Sequence, residues 1–272
     1  MRKLTSCRDK TVLVTGASSG VGRGLALRFA REGARAVALV ARRETQLADV
    51  AREVEALGAR ALVLPCDVAD REAVFGAARQ ALAELGAIDI LVNNAGYGHH
   101  RKFLEWDLAD MERMLRVNFL GTLYWTKALL PQMVERRAGW IVFVASVGGK
   151  LGVPEESAYA ASKFAMIGFA EALSLEVEDA GVHLLTVCPG TVRTDFFDAE
   201  ALERMAPVSR RIMIEPEVLI DATLQALARG KREITVPWYL APVYVIRAIA
   251  PGLMRRNTRR STLGALAKPP RA

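Results

Sequence analysis

Thr11-Val12-Leu13-Val14-Thr15-Gly16-Ala17-Ser18-Ser19-Gly20-Val21-Gly22 is the stretch on which the fold turns. Its first five residues are apolar or β-branched and predict a strand, and the run 23–31 predicts a helix. Between them the glycines are spaced G-x-x-x-G-x-G. A glycine turn alone is a weak signal, but between a strand and a helix it has a physical meaning. Residues without a Cβ let the backbone approach a pyrophosphate, and a helix N-terminus offers it unpaired N–H groups. The stretch therefore predicts a dinucleotide-binding turn at the head of an α/β fold.

Outward from this stretch the alternation repeats. Strands are predicted at 36–41, 60–65, 88–92, 140–145, 182–188 and 233–236, and helices at 44–57, 70–85, 108–137 and 157–180. Strands alternating with helices imply a doubly wound parallel sheet covered on both faces. The strand 36–41 runs into Arg42 and Arg43, where a site preferring NAD usually carries a carboxylate for the ribose 2′-hydroxyl. Two guanidiniums suit a 2′-phosphate instead and predict NADP(H). The competing reading is a solvated pair opening the next helix, with Glu44 as a partner. Other strand ends carry Asp67, the turn Asn93-Asn94-Ala95-Gly96, and Pro189-Gly190-Thr191-Val192-Arg193-Thr194. Asn118 lies inside the predicted helix 108–137 among apolar neighbours. Once buried, its amide needs partners, from nearby backbone or from a water.

A second constellation carries chemistry. Tyr159 and Lys163 stand four residues apart in the helix predicted over 157–180, so both leave one face. Such a pair also arises by chance on surface helices, and only the rest of the chain gives it weight. A phenol titrates near about 10, and an ammonium beside it lowers that value. Ser146 follows the strand 140–145, so its hydroxyl stands at a carboxyl strand end, where open α/β sheets bind ligands. A hydroxyl donor, a tunable phenol and a fixed cation are what a ketone needs while it becomes an alkoxide.

The 272 residues, half of them apolar, suit one large α/β domain or two small ones. Met1-Arg2-Lys3 is basic, but polar residues follow, so a signal sequence is not expected. Cys7, Cys66 and Cys188 are scattered, with no metal spacing and no disulfide framework. They read as reduced thiols of a cytoplasmic chain, Cys66 and Cys188 as buried small hydrophobes. Much of the formal charge of +7 lies near the C-terminus, without the aromatic interleaving of a single-strand nucleic-acid binder. There the stretch 238–254 is strongly apolar and aromatic, broken by Pro242 and Pro251, and followed by Arg255, Arg256, Arg259 and Arg260. It is too short and broken to span a bilayer. It suits three roles: peripheral attachment to a membrane surface through 237–260, a cap on the substrate cleft, or a subunit contact. An apolar wall near the site would favour a lipophilic substrate.

With these residues in order, the chain resembles the short-chain dehydrogenase/reductase family over about 10–236. The matching motifs are Thr15 to Gly22, Cys66-Asp67-Val68, Asn93 to Gly96, Asn118, Ser146, Tyr159-x-x-x-Lys163 and Pro189-Gly190-x-Val192-x-Thr194. The resemblance implies a Rossmann-type sheet of seven parallel strands in the order 3-2-1-4-5-6-7. It implies one dinucleotide-binding and catalytic domain, 1–236, with 237–272 as an extension, and assembly as a homodimer or homotetramer. It implies that Gly16, Ser18, Ser19, Gly20, Val21 and Gly22 form the phosphate-side turn, and that Asp67 and Val68 flank the adenine. Asn94, Ala95, Gly96, Pro189, Gly190, Val192 and Thr194 would complete the cofactor site. Lys163 would hold the nicotinamide ribose and depress the Tyr159 pKa. Tyr159 would exchange the proton, Ser146 would orient the substrate oxygen, and Asn118 would hold a water relaying protons to Lys163. The segment 195–214 corresponds to the variable substrate loop. Taken with Arg42 and Arg43 and with the apolar stretch 238–254, the implied activity is hydride transfer between NADP(H) and a carbonyl or secondary alcohol on a steroid, retinoid, long-chain ketone or acyl derivative. A 3-oxoacyl-carrier-protein reductase and a non-catalytic dinucleotide-binding regulator are the alternatives.

Overall fold

The computed structural model describes residues 3–196, 199–205 and 207–266. Among these, seven parallel strands form one sheet: β1 (Thr11–Thr15), β2 (Ala36–Ala41), β3 (Arg60–Pro65), β4 (Ile90–Asn93), β5 (Gly139–Val144), β6 (Val182–Pro189) and β7 (Glu233–Val236). Their order is β3-β2-β1-β4-β5-β6-β7, as the resemblance implies. The helices are α1 (Gly20–Arg31), α2 (Glu44–Ala56), α3 (Arg71–Leu85), α4 (Leu108–Leu115), α5 (Gly121–Glu135), α6 (Ser157–Val177), α7 (Ala199–Arg204), α8 (Pro207–Arg211), α9 (Pro216–Arg229), α10 (Pro242–Ile249) and α11 (Pro251–Leu266).

Alternation along the strands builds two cores. Val12 and Val14 of β1 meet Leu25 and Phe29 of α1, Leu47 and Val50 of α2, and Leu219 and Leu227 of α9 on one face. Leu13 points the other way, into Val74 of α3, Trp125 and Leu129 of α5, and Met166 and Leu173 of α6. Each large apolar side chain buried this way contributes about 1.5–3 kcal/mol. The chain order reverses between β1 and β4, which opens a crevice above their carboxyl ends.

Several predicted boundaries shift. The first helix begins at Gly20, not Arg23: Ser19 is extended and its carbonyl accepts from Arg23 N–H at 3.1 Å, so the glycine motif supplies the first turn. The fourth strand begins at Ile90 and the fifth at Gly139. The helix predicted over 157–180 ends at Val177 and passes into a 3₁₀ turn, Glu178–Ala180. The single helix predicted over 108–137 is interrupted. Gly121 N–H bonds to the Arg116 carbonyl across a π turn, Arg116–Leu120, and this wider turn carries buried Asn118 inward.

Beyond β7 the chain makes a 3₁₀ turn, Trp238–Leu240, and then α10 and α11, each opened by a proline. Proline suits that position because the N–H it lacks has no helical acceptor there. Tyr244 hydroxyl lies 3.4 Å from Thr235 Oγ1, Lys150 Nζ sits 4.8 Å from the Tyr244 ring, and the Arg247 guanidinium 5.2 Å from the Phe164 ring. Trp238, Tyr239, Val245, Ile249 and Leu253 remain exposed, Trp238 at 79% and Ile249 at 77%. No helix is long and apolar enough to cross a membrane among the described residues.

Candidate active site

A cleft of about 420 Å³ follows the carboxyl ends of β1 to β6. It is lined by Gly16, Ser18, Ser19, Gly20, Val21, Arg42, Arg43, Asp67, Val68, Asn94, Ala95, Gly96, Ser146, Tyr159, Lys163, Pro189, Gly190, Val192 and Thr194, all singled out by sequence. Two of the residues singled out, Gly22 and Asn118, are not among its lining and pack against residues that are, Gly16 and Gly96.

At the β1 end, one side chain stitches two turns together. Thr15 Oγ1 accepts from the N–H groups of Asn94 and Ala95, both at 3.0 Å, and donates to the Val92 carbonyl at 3.2 Å. Asn94 Nδ2 returns a bond of 3.0 Å to the Thr15 carbonyl. A Cβ on Gly22 would lie 2.2 Å from the Gly16 carbonyl oxygen, so helix and turn meet at a distance only glycine allows. Gly16 has φ of 67°, and a Cβ there would lie 2.9 Å from Ala95 Cα. Across this turn, Arg43 Nη2 donates to Ser18 Oγ at 3.1 Å and Ser19 Oγ at 3.3 Å. A guanidinium, two hydroxyls and a helix N-terminus thus converge, a donor set that fits a phosphate. Asp67 accepts from Ala69 N–H at 3.0 Å and from Arg113. Burial raises its carboxyl, but Arg113, the Ala69 N–H and Arg42 outweigh that and hold it below the usual range.

At the β5 end, Ser146 Oγ accepts from Gly148 N–H at 2.9 Å, which leaves its proton for the phenol beside it. Lys163 is buried and its Nζ donates to the Val144 carbonyl at 2.8 Å, 5.9 Å from the centre of the Tyr159 ring. One expectation is corrected here: the Tyr159 phenol is not depressed. Burial pushes it above its ordinary value, the Ser146 hydrogen bond opposes this, and the charge of Glu156 adds to the rise. Lys163 is directed at a carbonyl, and burial pushes its own value down to about 8.

Asn118 finds its partners far along the chain. Its Nδ2 donates to the Tyr97 carbonyl at 2.9 Å and to Ser162 Oγ at 3.1 Å, while its Oδ1 accepts from Tyr97 N–H at 3.0 Å. It braces the turn after β4 against α6. Sequence reasoning missed Tyr97, Val117, Phe196 and Leu219 in the cleft wall. The Phe196 ring stands edge-on to Tyr159 at 5.9 Å. Only its place in the segment 195–214 hinted at this. All three cysteines are buried thiols. No group of three or more His, Cys, Asp or Glu side chains is gathered as metal ligands would be among the described residues.

Residues 10–204 match the family described as short chain dehydrogenase. Epidermal retinol dehydrogenase 2 of Mus musculus is 36% identical over 245 residues, which cover 88% of this chain and 78% of that protein. Ketoacyl reductase HetN of Nostoc sp. is 34% identical over 233 residues, 86% of this chain and 80% of its own. A crystal structure of a short-chain type dehydrogenase/reductase from Mycobacterium marinum superposes with a TM-score of 0.77 at 30% identity, covering 85% of this chain and 95% of that one.

Proposed function

The chain belongs to the short chain dehydrogenase family, oxidoreductases that bind a nicotinamide dinucleotide and act on small molecules, and on that footing we propose a specific reaction for it. It transfers a hydride between NADP(H) and the carbonyl or secondary alcohol of a lipophilic substrate. The observation that carries this reading is that one cleft holds the Ser146, Tyr159 and Lys163 group at one end and the Arg43, Ser18 and Ser19 group at the other.

The dinucleotide, when bound, supplies or accepts the hydride. The chain's residues do the rest. Arg42 and Arg43, with Ser18 and Ser19, hold the 2′-phosphate, and Gly16, Gly20, Val21 and Gly22 form the turn under the pyrophosphate. Asp67 and Val68 flank the adenine. Asn94, Ala95 and Gly96, with Pro189, Gly190, Val192 and Thr194, form the remaining walls. Tyr159, protonated in the neutral range, gives its proton to the substrate oxygen in reduction and takes it back in oxidation. Ser146 donates a hydrogen bond to that same oxygen. Lys163 holds the nicotinamide ribose and supplies positive charge. Asn118 fixes the turn of Gly96, and Oδ1 keeps a lone pair for a water shared with Lys163.

Two relatives named for a retinol and a ketoacyl substrate support the lipophilic class. The name of the second also keeps a 3-oxoacyl substrate as the alternative. We assign residues 1–236 to one domain and 237–272 to an extension, whose stretch 237–260 meets a membrane surface, caps the cleft or forms a subunit contact, and homodimer or homotetramer assembly goes with this reading. The test is turnover of a panel of apolar ketones and alcohols with each dinucleotide. Tyr159→Phe should lower kcat by roughly 10²-fold or more and leave dinucleotide affinity unchanged. Near-normal turnover in this variant would remove Tyr159 from the reaction.

A further inference from the structure

We propose that Arg204 is a positioning residue for the substrate side of the cleft, clamping α7 to the wall that carries Tyr159 through Glu155, Glu105 and His100. This rests on the carbonyl reaction proposed above. Asp195 and Phe196 line the cleft, and α7 follows shortly after them. Arg204, the last residue of α7, reaches back over the wall. Its Nη1 donates to the His100 carbonyl at 3.0 Å and its Nη2 to the Glu105 carboxylate at 2.8 Å. Its Nε lies 3.6 Å from Glu155 Oε2. His100 and Glu105 belong to the connection between β4 and α4, and Glu155 lies two residues before α6. One rigid guanidinium fork therefore ties three segments, a geometry that an ammonium does not reproduce.

The partner on the α6 side sets this contact apart from a surface ion pair. The Glu155 side chain is 2% exposed, and among the described residues neither of its carboxylate oxygens accepts a hydrogen bond. A buried carboxylate in that state requires a counter-charge, and Arg204 supplies it. Glu155 also holds φ of 71°, a strained value for a residue with a side chain, and its carbonyl accepts from Arg101 N–H at 2.9 Å. The contacts continue to the reacting group. His100 Nδ1 lies 3.4 Å from Glu156 Oε1, and the Glu156 carbonyl accepts from Ala160 N–H at 2.7 Å, one residue past Tyr159. The placement of α7 and the start of α6 are thus tied by one connected group of side-chain and backbone contacts.

The test uses the full chain and four variants: Arg204→Ala, Arg204→Lys, Glu155→Gln, and Arg204→Ala combined with Glu155→Gln. Arg204→Ala should raise KM for the carbonyl substrate roughly tenfold or more, with kcat and dinucleotide Kd within about threefold. Amide exchange in α7 should rise at least roughly tenfold, with α1 unchanged. Arg204→Lys should recover part of both effects, and Glu155→Gln should share the rise in KM. The combined variant should regain the thermal stability lost in Arg204→Ala, because no unpaired buried charge remains, while KM stays high. A combined variant whose KM returns with its stability overturns the proposal, since a purely structural ion pair behaves that way. Unchanged KM and unchanged α7 exchange in Arg204→Ala overturn it directly. If that variant does not fold, Arg204→Lys and Glu155→Gln decide by the same readouts. A wild-type chain that reduces no carbonyl compound removes the proposed reaction, and α7 exchange then decides the clamp alone.

Discussion

At Tyr159 burial and hydrogen bonding oppose each other, and burial prevails, so the phenol keeps its proton through the neutral range. Lys163, pushed down to about 8 by the same burial, is then the group of the pair that titrates near neutrality. The ammonium is present below that value and lost above it. We predict that kcat/KM for ketone reduction is level below neutrality and falls as pH rises through about 8, measured at saturating dinucleotide. A profile that stays level to about pH 10 would detach Lys163 from catalysis. Stability carries the opposite sign. The folded value of Lys163 lies below its ordinary one, so its contribution is complete above the ordinary value and lost as pH falls through about 8. Burial, then Glu155, raises Glu156 to about 7, so its contribution is complete below its ordinary value and lost as pH rises through about 7. That Tyr159 and Lys163 face the same cleft was legible, because they stand one helical turn apart on α6. The direction of the Tyr159 shift was not, because it depends on surroundings such as Phe196 that the chain brings in from far away.

At the scale of elements, the strand and helix alternation was legible because both faces of a parallel sheet demand apolar runs of strand length. The π turn was not, since the sequence 116–120 has helical periodicity on either side and only the packing of Asn118 on Tyr97 and Ser162 reveals the extra residue. The end of β2 was read correctly as a basic strand end, but the reach of Arg43 to Ser18 and Ser19 joins two elements and appears only in three dimensions. That reach gives the cofactor reading its mechanism: the guanidinium is already held over the turn by two hydroxyls. Replacing Arg42 and Arg43 by neutral residues should weaken NADPH and leave NADH nearly unchanged. Charge-assisted bonds contribute about 1.5–3 kcal/mol each, so the loss should be roughly tenfold or more. Titration calorimetry with both dinucleotides separates the outcomes, and equal weakening would show that the arginines do not discriminate.

Over the whole molecule the charge is divided unevenly. Residues 237–272 hold seven cations and no acidic residue, and this equals the entire formal net charge of +7. Lys268 and Arg271 lie outside the described residues; the other five are on α10 and α11. The inner side of α10 is taken by Lys150, Phe164 and Thr235, and a Cβ on Gly190 would lie 2.7 Å from Leu240, so the extension sits at the rim of the cleft. Its outer side presents Trp238, Val245, Ile249 and Leu253 beside the arginines. Apolar insertion and charge attraction act together at an anionic bilayer, and each cation near the surface contributes about 1 kcal/mol. The full chain should therefore float with phosphatidylserine vesicles at low salt and less so as salt rises. Replacing Arg255, Arg256, Arg259 and Arg260 by Gln should lower that partitioning by roughly 10³-fold. Ending the chain at Val236 should abolish it, while the sheet, β7 included, is retained. A full chain that does not float at low salt refutes attachment. If truncation also leaves turnover of bulky apolar ketones unchanged, the rim contact at Gly190 does not shape the substrate side either, and the exposed apolar side is then a contact between subunits, read from the loss of dimer or tetramer mass on truncation.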